Sequence, residues 1–80
     1  MRLKAVKASS RSFILSVVWT NGTRSKVNLT DLVRNSRHFH IFAKNAAAFR
    51  RVRTTRYGTG IEWKNGLDCS VETLQTLSND

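Results

Sequence analysis

From Arg2 to Ala8 the chain alternates, with Leu3, Ala5 and Lys7 on one face and Lys4 and Val6 on the other. A period of two predicts a strand, and the lysines predict an edge strand, because charge there discourages further pairing. After a turn at Ser9-Ser10-Arg11, Ser12 to Trp19 forms the clearest strand. Phe13, Leu15, Val17 and Trp19 share one of its faces and Ile14 and Val18 the other. Two apolar faces predict a central position in the sheet. Asn21-Gly22 follows directly, the strongest short hairpin signal, and a two-residue loop there requires positive φ at both residues. On the return strand, Arg24 to Leu29, Ser25, Val27 and Leu29 point one way and Arg24, Lys26 and Asn28 the other.

The second half reads as shorter pieces. Asn28 or Thr30 caps a short helix over Asp31 to Arg34, with its acid in the first turn and its base in the last. Asn35 to Phe42 carries no clear period. Three consecutive alanines predict one or two helical turns over Asn45 to Phe49. Arg51 to Tyr57 reads as a strand with Val52 buried, and Gly58-Thr59-Gly60 as a turn. Gly60 to Trp63 reads as a further strand, followed by a turn at Lys64-Asn65-Gly66. Ser70 then caps a last helix, Val71 to Leu77, which buries Val71, Leu74 and Leu77. No internal repeat, linker or low-complexity tract stands out. The pattern predicts a single α+β domain over residues 1–80. Its sheet is small, mostly antiparallel and of about five strands, an N-terminal hairpin meander plus a later strand pair, with about two or three short helices.

Composition adds charge to this outline. A hydrophobic fraction of 40% with 24% charged residues is that of a globular chain. Net charge is +9, unevenly placed: residues 1–56 carry 13 Lys/Arg against Asp31 alone, and residues 57–80 carry Lys64 against four acids. Such polarity points to a polyanion or an acidic protein face as partner. Cys69 is the only cysteine, which excludes an intrachain disulfide and a cysteine-based zinc site. That usage fits a reducing compartment, and the N-terminal MRLKAVKASS has no signal-like apolar run. The longest apolar stretch, around Phe13 to Trp19, is too short for a membrane span, so a cytoplasmic location away from membranes is expected.

Four arginines fall within the seven residues Arg50 to Arg56, followed by Tyr57. On a strand, Arg51, Arg53 and Thr55 share one face while Val52 anchors the other, and guanidinium groups suit phosphate or carboxylate. Arg24 and Lys26 extend that face if the hairpin packs alongside. The candidate partner- or nucleic-acid-binding set is therefore Arg24, Lys26, Arg50, Arg51, Arg53, Arg56 and Tyr57. No zinc finger, aromatic ribonucleoprotein motif or Gly-x-x-Gly clamp accompanies it. His38 and His40 would share one face of a strand and make half a metal site, but no third and fourth ligand stand at metal-like spacing, so no metal is expected. Glu62 and Asp68 make a formal carboxylate pair with no second catalytic group, and Cys69 lacks a protease-like setting. Neither a catalytic residue nor a cofactor is expected. Trp19, Asn21, Gly22, Phe49, Val52, Trp63, Asn65, Gly66 and Asp68 read as servants of the fold: core anchors, turn formers and, at Asp68, an acceptor for backbone N–H groups near the last helix.

These residues carry a resemblance. Val18-Trp19-Thr20-Asn21-Gly22, Val27-Asn28-Leu29, Phe49, Val52, Ile61-Glu62-Trp63-Lys64-Asn65-Gly66-Leu67-Asp68, Ser70 and Leu74 stand in the order found in the small bacterial domain-of-unknown-function family 2442. The chain resembles that family over nearly its whole length, most specifically at Ile61 to Asp68. The resemblance implies a compact α+β domain without an assigned activity. Some members are fused to a helix-turn-helix domain, and others lie beside a second small protein in what looks like a toxin–antitoxin pair. It implies a regulatory or antitoxin-like role and no catalytic residues. The expected function is a non-enzymatic module that binds a protein partner, an acidic face or a toxin-like protein, through a basic sheet face or strand edge. Direct binding of a nucleic-acid backbone is one alternative. A phage or mobile-element inhibitor of a host ribonucleoprotein is another. A monomer or weak homodimer suits so small a sheet.

Overall fold

The alternating segments close into two sheets. The computed structural model describes residues 2–78, and its elements run β1 (Leu3–Ala8), β2 (Ile14–Trp19), β3 (Arg24–Asn28), α1 (Thr30–Asn35), α2 (Ile41–Lys44), α3 (Ala46–Phe49), β4 (Arg53–Thr54), β5 (Gly60–Glu62), β6 (Asp68–Ser70) and α4 (Val71–Leu77). The α+β class holds, but the expected sheet of five strands is instead two antiparallel three-stranded sheets, β1-β2-β3 and β4-β5-β6, with four short helices. Two local causes account for the difference. Asp68–Ser70 pairs with β5 as an additional strand. The expected strand from Arg51 to Tyr57 shrinks to Arg53–Thr54, because residues on either side are drawn into turns. Arg50, Arg51 and Val52 donate their N–H groups to Ala46, Ala48 and Phe49 carbonyls and so complete the turn that ends α3.

The first sheet follows the alternation closely, with one correction. Central β2 buries Leu15, Val17 and Trp19 and turns Ile14, Ser16 and Val18 outward. In β1 the register shifts between Leu3 and Ala5, and this bulge reverses the alternation. Leu3 is buried, Val6 and Ala8 face the core, and Ala5 and Lys7 face out. Leu3, Ala5 and Lys7 therefore do not share a face.

Both principal hairpins have the same turn. Trp19 N–H donates to Thr23 O and Gly22 N–H to Trp19 O, each at 2.9 Å, closing a three-residue loop with Gly22 at φ 88°. Among the described residues no non-glycine residue has positive φ, so Asn21 does not take the left-handed conformation expected of it. The loop is a type I turn completed by a left-handed glycine. Asn21 Oδ1 accepts from Thr23 N–H at 3.0 Å. Trp63-Lys64-Asn65-Gly66-Leu67 repeats the device: Trp63 N–H to Leu67 O, Gly66 N–H to Trp63 O, Gly66 at φ 94°, and Leu67 N–H to Asn65 Oδ1. The shared Trp-x-Asn-Gly pattern is thus a short repeat of four residues, recognisable once both turns are seen to have the same geometry.

The sheets meet where β1 runs beside β4, and Leu3 N–H donates to Gly58 O at 2.8 Å. A single core lies beneath both. Leu15, Val17, Val27, Leu29, Val33, Phe42, Phe49, Ile61 and Leu74 are almost wholly removed from water. Trp63 packs against Phe39, Phe42 and Phe49 with centroid separations of 5.0 to 6.0 Å. Its indole N–H donates to Phe49 O at 3.0 Å, giving the buried polar edge a partner. Ser70 caps α4 by accepting from Thr73 N–H, and Leu74 is that helix's fully buried residue, with Val71 and Leu77 packed partly against the core. Asp68 does not supply this cap; it is exposed on β6 opposite Glu62.

Candidate partner-binding surface

The arginines of residues 50–57 separate. Arg53 pairs with Glu62 across β4 and β5, Nη2 to Oε2 at 2.8 Å and Nε to the same oxygen at 3.1 Å. Arg56 lies over the exposed Tyr57 ring at 5.5 Å in the β4–β5 loop. Arg50 borders the Ser9–Phe13 loop, and Arg51 faces the opposite way, toward Trp63, Lys64 and Asn65. The single arginine face expected from a strand of that length does not form. Val52 and Phe49 sit inward, in or against the core.

A basic face does form, on the outer side of the first sheet. Register places Lys7, Ser16 and Lys26 in one row across the three strands, and Ala5, Val18 and Arg24 in the next. With strands about 4.8 Å apart, Lys7 and Lys26 stand about 10 Å apart at their backbones, and Arg24 lies about 7 Å further along β3. These residues border an open trough. It continues past Ser9, Ser10 and Ser12, where Lys7, Ser16 and Lys26 again form the wall. Beyond the serines lies a smaller hollow bordered by Arg11 and Arg50. No acidic residue lines any of the three. Among the described residues the one ion pair is Arg53–Glu62, so Lys7, Arg11, Arg24, Lys26 and Arg50 keep their charge uncompensated.

Arg24, Lys26 and Arg50 were legible as candidates; Lys7, Arg11 and Ser16 were not. Lys7 is hidden in the sequence by the β1 bulge, which moves it from the Leu3 face to the open one. Arg11 sits in a turn whose position depends on tertiary packing. The serine-rich run Ser9 to Ser12 around Arg11 was the available signal.

The remaining reactive groups gather no chemistry. His38 and His40 lie in a turn before α2, both exposed, and not on a strand. No group of three metal-ligating side chains occurs among the described residues. Glu62 and Asp68 face each other across β5 and β6, with Glu62 engaged by Arg53. Burial, with a smaller contribution from the Asp68 carboxylate, pushes the Cys69 thiol up to about 11, opposite to the direction an activated nucleophile needs. Among the described residues no helix is long and apolar enough to cross a membrane. Compared with known families, curated proteins and solved structures, the chain matches no family model, no curated protein and no solved structure.

Proposed function

We propose that this chain is a non-enzymatic binding module with a regulatory, antitoxin-like role, which docks an acidic protein partner on the outer face of its first sheet. The observation that carries this reading is the mixture on that face. Ala5 is exposed and Val18 half-buried in the row of Arg24, and half-buried Ile14 follows on the far side of the Lys7–Lys26 row. A phosphate backbone would satisfy the cations and leave the apolar strip in water. A protein surface with carboxylates around an apolar centre satisfies both, since interfaces combine an apolar core with a polar rim. The resemblance of Ile61 to Asp68 to family 2442, with its paired gene arrangements, supports the regulatory role.

The test is co-purification of the chain from its native host, beside a Lys7→Glu/Lys26→Glu variant. Recovery of a protein partner by the parent chain and its loss by the variant is expected. A partner held equally well by both would overturn the assignment to this face. A second reading, binding of nucleic acid, is favoured by one observation: the run of Ser9, Ser10 and Ser12 with Arg11 and Arg50 continues the cationic track with hydroxyl groups and no acidic residue at its border. Salt-sensitive anisotropy changes with duplex DNA or RNA that vanish in an Arg11→Glu/Arg50→Glu variant would support it.

A further inference from the structure

A second recess lies away from the sheet face, between α3 and the β5–β6 hairpin. It has a volume of about 330 Å³ and is bordered by Asn45, Arg51, Trp63, Lys64 and Asn65. Its side-chain polar groups are rich in donors: two amide NH₂ groups, a guanidinium and an ammonium. Asn45 Oδ1 is occupied by Ala48 N–H at 3.1 Å, and Asn65 Oδ1 by Leu67 N–H at 3.2 Å. Each amide oxygen has one lone pair engaged in holding its own turn, and the bond orients the amide while its NH₂ group makes no hydrogen bond among the described residues. Arg51 brings a guanidinium and Lys64 an ammonium, neither of which can accept. No carboxylate borders the recess, and the described ion pair involves neither cation. The apolar boundary is equally defined. Trp63 is fixed by its bond to Phe49 O and by the surrounding aromatic rings, while Ala47 and Ala48 keep the wall low.

We infer that this recess binds the phosphate group of a small organic phosphate monoester. Near neutral pH such a group carries about −1.5 to −2, which matches two cations with no competing acid, whereas a carboxylate leaves one of them unbalanced. A guanidinium offers the group paired N–H donors, lysine a point charge, and the two amides further N–H groups. The volume lies at the lower end of ligand sites, about 300–1,000 Å³, which leaves room for a small apolar substituent against Ala47, Ala48 and Trp63. This site is independent of the sheet-face reading and involves none of its residues.

The experiment is a two-dimensional ¹⁵N NMR titration of the full chain with phenyl phosphate, inorganic phosphate and phenylacetate. Expected are saturable shifts of the Asn45 and Asn65 side-chain NH₂ and Trp63 indole signals. Phenyl phosphate should bind more tightly than inorganic phosphate, and phenylacetate should leave these signals in place. Arg51→Ala and Lys64→Ala should each weaken phenyl phosphate by about 10-fold, the usual scale for losing a charge-assisted contact, with spectra otherwise preserved because both residues are exposed. Arg24→Ala, on the sheet face, should leave the affinity unchanged. Lowering the pH from 7.5 to 5 should weaken binding as the dianion protonates. Equal shifts with phenylacetate, shifts that never saturate or spread to the sheet face, or full affinity in Arg51→Ala would each overturn the inference.

Discussion

Gly58 is the point at which the two sheets lean on each other, and replacing it by alanine tests that seam. Gly58 sits at φ 69°, where a side chain costs about 1–2 kcal/mol. A Cβ there would stand 2.5 Å from Leu3 O and 3.3 Å from Leu3 N, so the start of β1 must move. The movement strains the 2.8 Å bond from Leu3 N–H to Gly58 O, a contribution of about 1 kcal/mol. It also lifts Leu3, now 5% exposed, part of the way out of the core, which forfeits a share of the roughly 1.5–3 kcal/mol its burial provides. Together these give about 3 kcal/mol. Gly22→Ala is the control. Its φ of 88° carries the same backbone penalty, but nothing lies within 4 Å of its Cβ, so the loss should stay near 1 kcal/mol. In urea unfolding, at a slope of about 1 kcal/mol per molar for a chain this small, Gly58→Ala should fall about 2 M below Gly22→Ala in midpoint. Against a total stability of about 4–12 kcal/mol the difference is easily read. Equal midpoints would refute the idea that the Gly58 carbonyl and the space above it join the sheets.

Three further outcomes follow from the electrostatics. With its thiol raised from 9.0 to about 11, Cys69 should react with iodoacetamide at pH 8 about 100-fold more slowly in the native protein than after unfolding. Because the folded-state value is the higher one, the thiol's contribution to stability is complete below pH 9 and is lost as pH rises through about 11, which a series of alkaline urea titrations would detect. Arg53 and Glu62 are 70% and 33% exposed at their side chains. Arg53→Ala should therefore cost under about 1 kcal/mol by thermal melting, with a smaller difference in high salt.

Folding resolves the charge of residues 50–56 into separate sites. Four arginines within seven residues suggested one face, yet each meets a different neighbour: the serine loop for Arg50, the Trp63 hairpin for Arg51, Glu62 for Arg53 and Tyr57 for Arg56. All but Tyr57 come from other elements, and no local pattern encodes them. Asn65 and Trp63 read as turn former and core anchor, and they are. That they also border a recess becomes visible only when α3 arrives beside the hairpin.

What the sequence determined by itself was local. Alternation over residues 13–19 made β2 central, Asn-Gly set the hairpin turns, three alanines formed α3, and Ser70 started α4. Each rests on a preference of neighbouring residues: side-chain period, a left-handed glycine, a cap hydroxyl. Tertiary structure decided how strands were shared between sheets, where β1 bulged, and hence that Lys7 joins Lys26 and Arg24 on an open face. Strand partnership is a choice among distant segments with similar local preferences, made by the core they bury together. One inserted residue in the register reverses every side chain beyond it.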